Sequence, residues 1–338
     1  MKYIKGLAVF SLISILLISF KPTPEPTKHV CTSTWGFYGH KRINRMATFS
    51  LPPELFTFYK KNIEYITEHA VDPDKRRYAA KGEAERHYID IDHYVKPGED
   101  PFLVVPKQWN DAVEKFTEDT LKAYGIVPWH LEVMVRRLTK AFKTKNLHRI
   151  LQYSSELGHY VGDAHVPLHT TENYNGQLTG QKGIHGFWES RIPEISADDY
   201  DYLVGRCEYI ADPLTKAWEV VKGSSIAVDS VLSFEKELTE RWPADQKYSY
   251  EHRGQVMMKV YSNEFSMEFQ RMLGNMQERR MRGAIFTTAS FWYTAWVNAG
   301  QPDLSDLNGD ISEGMKKEME KNDQFFKKGK TVGRDFEN

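Results

Sequence analysis

Cysteine is scarce in this chain, whose 338 residues include only Cys31 and Cys207. A zinc site built from several thiolates is therefore excluded, and so is a disulfide framework. An excess of one charge is also lacking, because 45 basic residues are balanced by 46 acidic residues. This balance argues against a strongly basic nucleic-acid platform, although it leaves room for a local cationic groove.

The apolar run near the N-terminus, residues 6–20, is shorter than the ~20 residues that a transmembrane helix needs. It follows Lys2 and Lys5, and this arrangement is typical of a signal peptide. We therefore expect a signal peptide over residues 1–20 and export to the periplasm or the medium; a retained N-terminal anchor is the alternative. Residues 21–34 contain alternating prolines and are predicted to form an extended linker or a pro-segment.

After residue 35, apolar residues recur at steps of three and four, as in amphipathic helices. The clearest such stripe consists of Leu131, Met134, Val135, Leu138 and Phe142. Further long helices are predicted over residues 53–70, 107–124, 206–221, 228–240, 251–276 and 278–298. Because sustained alternation with a period of two is scarce, the fold class is predicted to be all-α. The charged tail, residues 301–338, is expected to be a helix fragment or disordered.

Four of the chain's twelve histidines lie within 27 residues, from His159 to His185. His159 and Asp163 are four residues apart, so on a helix they share one face, and His185 and Glu189 repeat that spacing. His169 follows a proline at which a helix would end. Imidazole and carboxylate groups are ligands that zinc accepts, and they are costly to bury without a partner or a metal. The pattern indicates a site with more than one metal ion.

Further candidates precede this cluster, although each is unremarkable alone. They are His40 in the stretch 35–40, Asp72 and Asp74 in the stretch 71–77, and His87, Asp90, Asp92 and His93 in the stretch 85–94.

Taken together, these motifs over residues 35–300 resemble the superfamily of zinc-dependent phospholipase C and the single-strand-specific zinc nucleases. The resemblance is strongest in His-x3-Asp-x5-His, at residues 159–169, and in His-x3-Glu, at residues 185–189. It implies an all-α, multi-helix phospholipase C/nuclease-like fold with a trinuclear zinc cleft. The segment 35–300 would then be a zinc phosphodiesterase domain that binds three zinc ions.

The resemblance also implies a set of metal ligands. The family begins at a tryptophan whose free amino group and carbonyl hold one zinc, and Trp35 and His40 match that start. The nuclease pattern Asp-x-x-Arg matches Asp74 and Arg77, so Asp74 is preferred to Asp72. One zinc is then expected on Asp74, His87, His159 and Asp163, a second on His169, His185 and Glu189, and a third on Trp35, His40 and a bridging Asp163.

The leader ends well before Trp35, so ordinary signal cleavage would leave an extension on its amino group. A second cleavage would be needed to free that amine for zinc, or the third site is built differently.

Phosphodiester hydrolysis is the chemistry that such a cluster predicts. Two zinc ions ~3.5–4 Å apart can lower the pKa of a shared water towards ~7, so that hydroxide attacks phosphorus. A third ion can stabilise the leaving oxygen. Asp74 and Asp163 are the residues predicted to be catalytic.

The substrate is expected to be single-stranded nucleic acid, with phospholipid headgroup esters as the alternative. By resemblance to the nucleases, Tyr88 would stack on a base, Asp90 would hydrogen-bond to it, and Arg77 would contact phosphate. The phospholipases are favoured instead by Glu189, which stands where nucleases have aspartate, and by the short spacing from His169 to His185. Tyr88 as a packed helix aromatic and Arg77 as a solvated charge are the structural alternatives. We expect a monomer with no obligate protein partner, and no ligand role for His93 or His165.

Two other classes are weighed against this interpretation. A carboxylate-bridged di-iron or di-manganese protein would use paired Glu-x-x-His motifs and more glutamates than this site offers. A non-catalytic zinc-binding surface protein would need only a closed, four-coordinate site, for which the predicted ligand set is too large.

Overall fold

The structure is a computed structural model that describes residues 34–77, 79–253, 256–307 and 313–328. The predicted signal peptide and residues 21–33 of the predicted linker lie outside the described residues. Within the part that is described, no helix is both long and apolar enough to cross a membrane.

Helices dominate the described chain, which confirms the all-α prediction. The first eight helices are α1 (Thr34–Ala47), α2 (Pro53–Lys61), α3 (Ile63–Glu68), α4 (Asp72–Arg76), α5 (Pro101–Val104), α6 (Trp109–Phe116), α7 (Glu118–Ala123) and α8 (Val127–Lys143). They are followed by α9 (Leu147–Ala164), α10 (Ile184–Gly186), α11 (Ile192–Ser196), α12 (Pro213–Arg241), α13 (Asn263–Met272), α14 (Met276–Asn298) and α15 (Glu313–Lys328). Strands β1 (Tyr248–Arg253) and β2 (Val256–Tyr261) form one antiparallel hairpin.

The helix predicted over residues 251–276 is wrong in its first half. Residues 248–261 form the β1–β2 hairpin, in which Tyr248 pairs with Tyr261 and Arg253 pairs with Val256. Strand β2 is rich in β-branched and aromatic residues, which fit a pleated surface better than a helix. Helix α13 starts only after Ser262, whose hydroxyl accepts a hydrogen bond from the Phe265 backbone N–H.

The two helices predicted over residues 206–221 and 228–240 are one helix, α12, and residues 206–212 are not helical. Asp212 sets the start, because its carboxylate accepts a hydrogen bond from the Thr215 backbone N–H and Pro213 occupies the first turn. The predicted helices over 53–70 and 107–124 are each broken. Asn62 separates α2 from α3, and Thr117, with a φ of 70°, separates α6 from α7.

Helices α8, α9 and α14 pack together at the centre of the core, and α1 crosses α9 and α14. The predicted apolar stripe of α8 is buried throughout. Tyr59 stacks on Trp292 with ring centroids 4.6 Å apart, and its hydroxyl lies 2.8 Å from Ser154 Oγ on α9. Every residue of α9 from Ser154 to Ala164 is buried, so the histidine and the aspartate that this helix carries lie inside the protein.

Helix α15 shows that the tail is helical over part of its length. It packs against α4 through an ion pair of 2.8 Å between Lys75 Nζ and Asp323 Oδ1, and its Phe326 ring lies 5.5 Å from that of Phe37.

Candidate metal centre

Helix α9 carries the first part of the centre. His159 and Asp163 lie one helical turn apart and are almost completely buried. His159 Nδ1 donates to the Ala70 carbonyl over 2.8 Å, which leaves Nε2 to face Asp163 Oδ2 at 3.1 Å. Because a carbonyl can only accept, this contact selects the tautomer whose Nε2 lone pair points inward.

His87 and Asp74 approach the same point from the segments before α9. His87 Nδ1 lies 2.9 Å from Asp163 Oδ2 and 3.1 Å from His159 Nε2. Asp74 Oδ1 lies 3.6 Å from His159 Nε2 and 3.8 Å from His87 Nδ1. Asp72, the alternative, pairs instead with His69 at 2.8 Å and with Lys75 at 3.7 Å. The four residues predicted for the first zinc therefore converge.

The second predicted group also converges. His169 Nε2 lies 3.3 Å from His185 Nε2 and 3.7 Å from Glu189 Oε2, and His185 and Glu189 approach to 2.5 Å. His169 stands on a 3₁₀ turn, Pro167–Thr170, and its Nδ1 donates to the His87 carbonyl over 2.9 Å. His185 lies on α10, and Glu189 lies in the π-helical turn Phe187–Arg191 that continues it. Turns of this kind are frequent at functional sites.

His40 links the two groups from the side of α1. Its Nε2 lies 3.5 Å from Asp163 Oδ1, and its ring stacks on that of His159 with centroids 3.8 Å apart. Trp35, the other residue predicted for the third zinc, lies in the first turn of the same helix, five residues before His40.

Two glycines of α9 allow this approach of α1. A Cβ atom added at Gly162 would lie 2.8 Å from His40 Nδ1, and one added at Gly158 would lie 1.7 Å from Asn44 Oδ1. Asn44 in turn donates to the carbonyls of Ile66 and Ser155 over 3.1 and 2.9 Å. His40 and Asn44, which are four residues apart on α1, therefore face Gly162 and Gly158, which are four residues apart on α9.

The buried groups of the cluster strongly affect one another's ionisation. Burial opposes ionisation of Asp163, but His159 and His87 hold the pKa of Asp163 well below its usual range. Burial also disfavours a charged His159, but Asp163 and Asp74 raise the pKa of His159 to about 9. Burial, reinforced by the charge of His159, lowers the pKa of His40 to about 4. Glu189 behaves like Asp163, since His185 and His169 lower the pKa of that carboxyl against the effect of burial.

This set of donors fits zinc. Within the described residues, groups whose donor atoms lie within 4.8 Å of one another are His40–Asp74–His159, His87–His159–Asp163, His169–His185–Glu189 and His40–Asp163–Glu189. All the donors are imidazole nitrogens or carboxylate oxygens, which zinc binds readily. Because His40, His159, Asp163 and Glu189 each belong to two groups, the cluster is continuous and can hold more than one ion.

The residues predicted to bind substrate are buried rather than exposed to solvent. Arg77 and Asp90 are both buried, so Arg77 is not a solvated charge. Tyr88 is 7% exposed, and its hydroxyl donates to the Ala123 carbonyl over 3.3 Å. Its ring is covered by Gly125, where an added Cβ atom would lie 2.6 Å from Tyr88 Cδ2. A base could stack on Tyr88 only if this cover moved.

Two residues near the centre were missed by sequence reasoning. Tyr174 is half-buried, and its ring centroid lies 6.2 Å from that of His185. Its position five residues after His169 was the only signal for it. Glu83 is fully buried beside His87, and its i, i+4 spacing from that histidine is the signal that could have found it.

The two histidines assigned no ligand role lie outside the cluster. His165 is buried, and its Nδ1 donates to the Val161 carbonyl. Arg280 Nε donates to the backbone carbonyl of His165. His93 stacks on Tyr124 and lies 3.2 Å from Glu172 Oε1.

A protein-family model described as S1/P1 Nuclease matches residues 35–273. The chain belongs to the S1/P1 nuclease family. This family is part of the superfamily of zinc-dependent phospholipases C and nucleases, so the resemblance seen in the motifs is confirmed. S1/P1 nucleases are zinc-dependent, which agrees with the clusters of histidine and carboxylate in this chain. Membership supports a nuclease or phosphodiesterase function and gives no support to the di-iron class. A comparison with curated proteins found no match.

Proposed function

We propose that this chain is an exported, monomeric, zinc-dependent nuclease that hydrolyses phosphodiester bonds of single-stranded nucleic acid. The observation that carries the proposal is the double orientation of the Asp163 carboxylate. Oδ1 lies 3.5 Å from His40 Nε2, whereas Oδ2 lies 2.9 Å from His87 Nδ1 and 3.1 Å from His159 Nε2. A carboxylate whose two oxygens face separate sets of imidazoles is suited to bridge two ions.

The proposed ligands are those named from the motifs. Asp74, His87, His159 and Asp163 would hold one zinc, His169, His185 and Glu189 a second, and Trp35, His40 and Asp163 a third. Zinc bound there supplies Lewis acidity and lowers the pKa of a coordinated water towards ~7.

Asp74 has the best position to handle the proton of the attacking water. Its side chain is 16% exposed, whereas those of His159 and Asp163 are 0% and 2% exposed. Of these three, Asp74 is therefore the ligand that an incoming water or phosphate reaches first. Arg77 lies three residues later, buried at the end of α4, and by resemblance to the nucleases it would contact the phosphate.

Phospholipase C activity is the second candidate, because Glu189 and the short spacing from His169 to His185 resemble that branch. Mature protein with its zinc counted should be assayed on single-stranded DNA, on RNA and on phosphatidylcholine vesicles. We expect cleavage of the nucleic acids, loss of activity with a chelator, and its return with zinc. Cleavage of phosphatidylcholine alone would establish the second candidate, and zinc binding without any cleavage would establish a non-catalytic zinc protein.

Asp74→Asn tests the proposed catalytic carboxylate, with Asp72→Asn as its matched control on the same helix. We expect Asp74→Asn to lower kcat by on the order of 10²-fold or more, the scale for a positioned acid–base group. Asp72→Asn should keep kcat within about threefold of the wild type, since its carboxylate pairs with His69 and Lys75. Equal losses in the two variants would contradict the assignment.

A further inference from the structure

Glu83 is a buried carboxylate that the proposed mechanism does not use. It is 1% exposed and is surrounded by cations and a phenol. Arg76 Nε lies 3.2 Å and Arg86 Nη1 2.9 Å from Oε2, and the Tyr160 hydroxyl donates to Oε1. A carboxylate is costly to bury without such partners, so this surrounding keeps a negative charge inside the protein.

That charge lies directly behind one of the proposed zinc ligands. Glu83 Oε1 is 3.7 Å from Nε2 of His87, the nitrogen opposite the Nδ1 that faces Asp163 and His159. His87 Nε2 is buried and has no hydrogen-bond partner among the residues that the structure describes. The distance of 3.7 Å between these two atoms exceeds the usual N–H···O hydrogen-bond length by only ~0.8 Å, so a small rotation of either side chain would form the bond.

The other ligand histidines show what such an outer contact does. The outer nitrogens of His159 and His169 donate to the carbonyls of Ala70 and His87, which fixes the tautomer of each ring. At His87 the facing group is a carboxylate instead. An anionic partner both selects the tautomer and increases the basicity of the inner nitrogen, and thereby strengthens metal binding.

We propose that Glu83 is a positioning residue of the metal centre, whose carboxylate accepts the Nε2–H of His87 and holds Nδ1 as the ligand atom. This inference rests on the proposed zinc site. It assigns Glu83 a role in metal affinity beyond that of a buried ion pair.

Glu156 is the matched control. It belongs to the same network of ion pairs around Arg76, but its contacts in that network do not include a ligand histidine. Its Oε1 accepts from Arg76 Nη1 over 2.7 Å and from Gln152 Nε2 over 2.9 Å, and it is buried like Glu83. Glu156→Gln therefore removes a comparable buried charge from Arg76, and a purely structural role predicts the same consequences for both variants.

Zinc affinity should be measured for the wild type, Glu83→Gln and Glu156→Gln by competition with a chelator of known affinity, together with the Tm of each chelated protein. We expect Glu83→Gln to lower the zinc affinity of the site that contains His87 by about 10- to 100-fold, the usual effect of losing the hydrogen-bond partner of a ligand histidine. Glu156→Gln should stay within about threefold of the wild type. Equal effects on affinity in the two variants, or none in Glu83→Gln, would overturn the proposal.

If Glu83→Gln does not fold, Glu83→Asp decides the question, since it keeps the charge and withdraws it from His87 by one methylene. A loss of zinc affinity smaller than about threefold in Glu83→Asp would then overturn the proposal, because the outer contact would not matter. A wild-type protein that binds no zinc overturns both this inference and the proposed function. A wild-type protein that binds zinc without cleaving nucleic acid overturns only the proposed activity.

Discussion

His159 and Asp163 project from a long, regular, buried helix, whereas His185 and Glu189 project from a three-residue helix and the π-turn that continues it. We call Asp74, His87, His159 and Asp163 the helix-borne half of the centre, in which only His87 lies outside a helix, just after a 3₁₀ turn, and we call His169, His185 and Glu189 the loop-borne half.

The two halves are held by different forces. In the helix-borne half, α9 is clamped against α1 at Gly158 and Gly162, where no room remains for a methyl group. In the loop-borne half, the start of α10 is held by the Asn175 side chain, whose Oδ1 accepts from the backbone N–H groups of Gly183 and His185 over 3.0 and 3.3 Å. A Cβ atom added at Gly186 would meet nothing within 4 Å. Close packing of α1 against α9 therefore fixes the first half, whereas the second half combines the Asn175 hydrogen bonds with the buried rings of Phe187 and Trp188 and keeps open space at Gly186.

The largest effect is expected from substitutions of the carboxylate ligands, one in each half, which should change turnover and zinc content to different degrees. Asp163→Asn removes a charge that faces His40 through one oxygen and His87 and His159 through the other, so we expect turnover to fall by on the order of 10³- to 10⁴-fold, as for residues that act as a unit. At least one zinc should be lost with it. Glu189→Gln should lower zinc content chiefly in the loop-borne half, although Glu189 also lies within reach of His40 and Asp163. Metal analysis and nuclease assays of both variants check this, and full activity in Asp163→Asn would refute the bridging role.

A smaller effect should appear in the stability of two glycine variants. Gly158→Ala places its methyl 1.7 Å from Asn44 Oδ1, so we expect a loss of about 1–3 kcal/mol from forced movement of α1. Gly186→Ala meets open space at a φ of −61° and should be neutral or stabilise by about 0.4–1 kcal/mol. Thermal unfolding measures both, and an equal loss in the two variants would show that the halves are packed alike.

The smallest expected effect, when it is measured over one pH unit, is a pH dependence of the stability of the chelated protein. The folded-state pKa of His159 is raised from 6.5 to about 9, so its contribution to stability is fully present below pH 6.5 and is lost as the pH rises through 9. The free energy of unfolding should fall by at most ~1.4 kcal/mol per pH unit over that window. His159→Gln should flatten the slope. A chelated wild type whose stability is constant or rising from pH 6.5 to 9 would contradict the assignment.

Much of the centre followed from spacing alone. The i, i+4 spacing of His159–Asp163 and of His185–Glu189 predicts that the side chains of each pair share one face, because helix geometry is set by residues close together in the sequence. The choice of Asp74 over Asp72 came from resemblance, and the pairing of Asp72 with His69 agrees with it. The hairpin at residues 248–261 was missed, because its short alternation is masked by the helical pattern of α13 beside it. The burial of Tyr88 was left open, because it depends on how the turn at Gly125 folds over the ring.

By itself, the sequence determined the helical class and the two i, i+4 pairs of donors, because those depend on periodicity and on local spacing, and it determined the family and the other donors through the resemblance of its motifs. Only the tertiary structure decided that α1 approaches α9 closely enough to bring His40 to Asp163, and that Glu83 lies behind His87. The first contact joins residues that are far apart along the chain and depends on how side chains pack between helices, which no local pattern encodes. In the second, the two residues are only four apart, but the burial of Glu83 among Arg76, Arg86 and Tyr160 depends on the same packing.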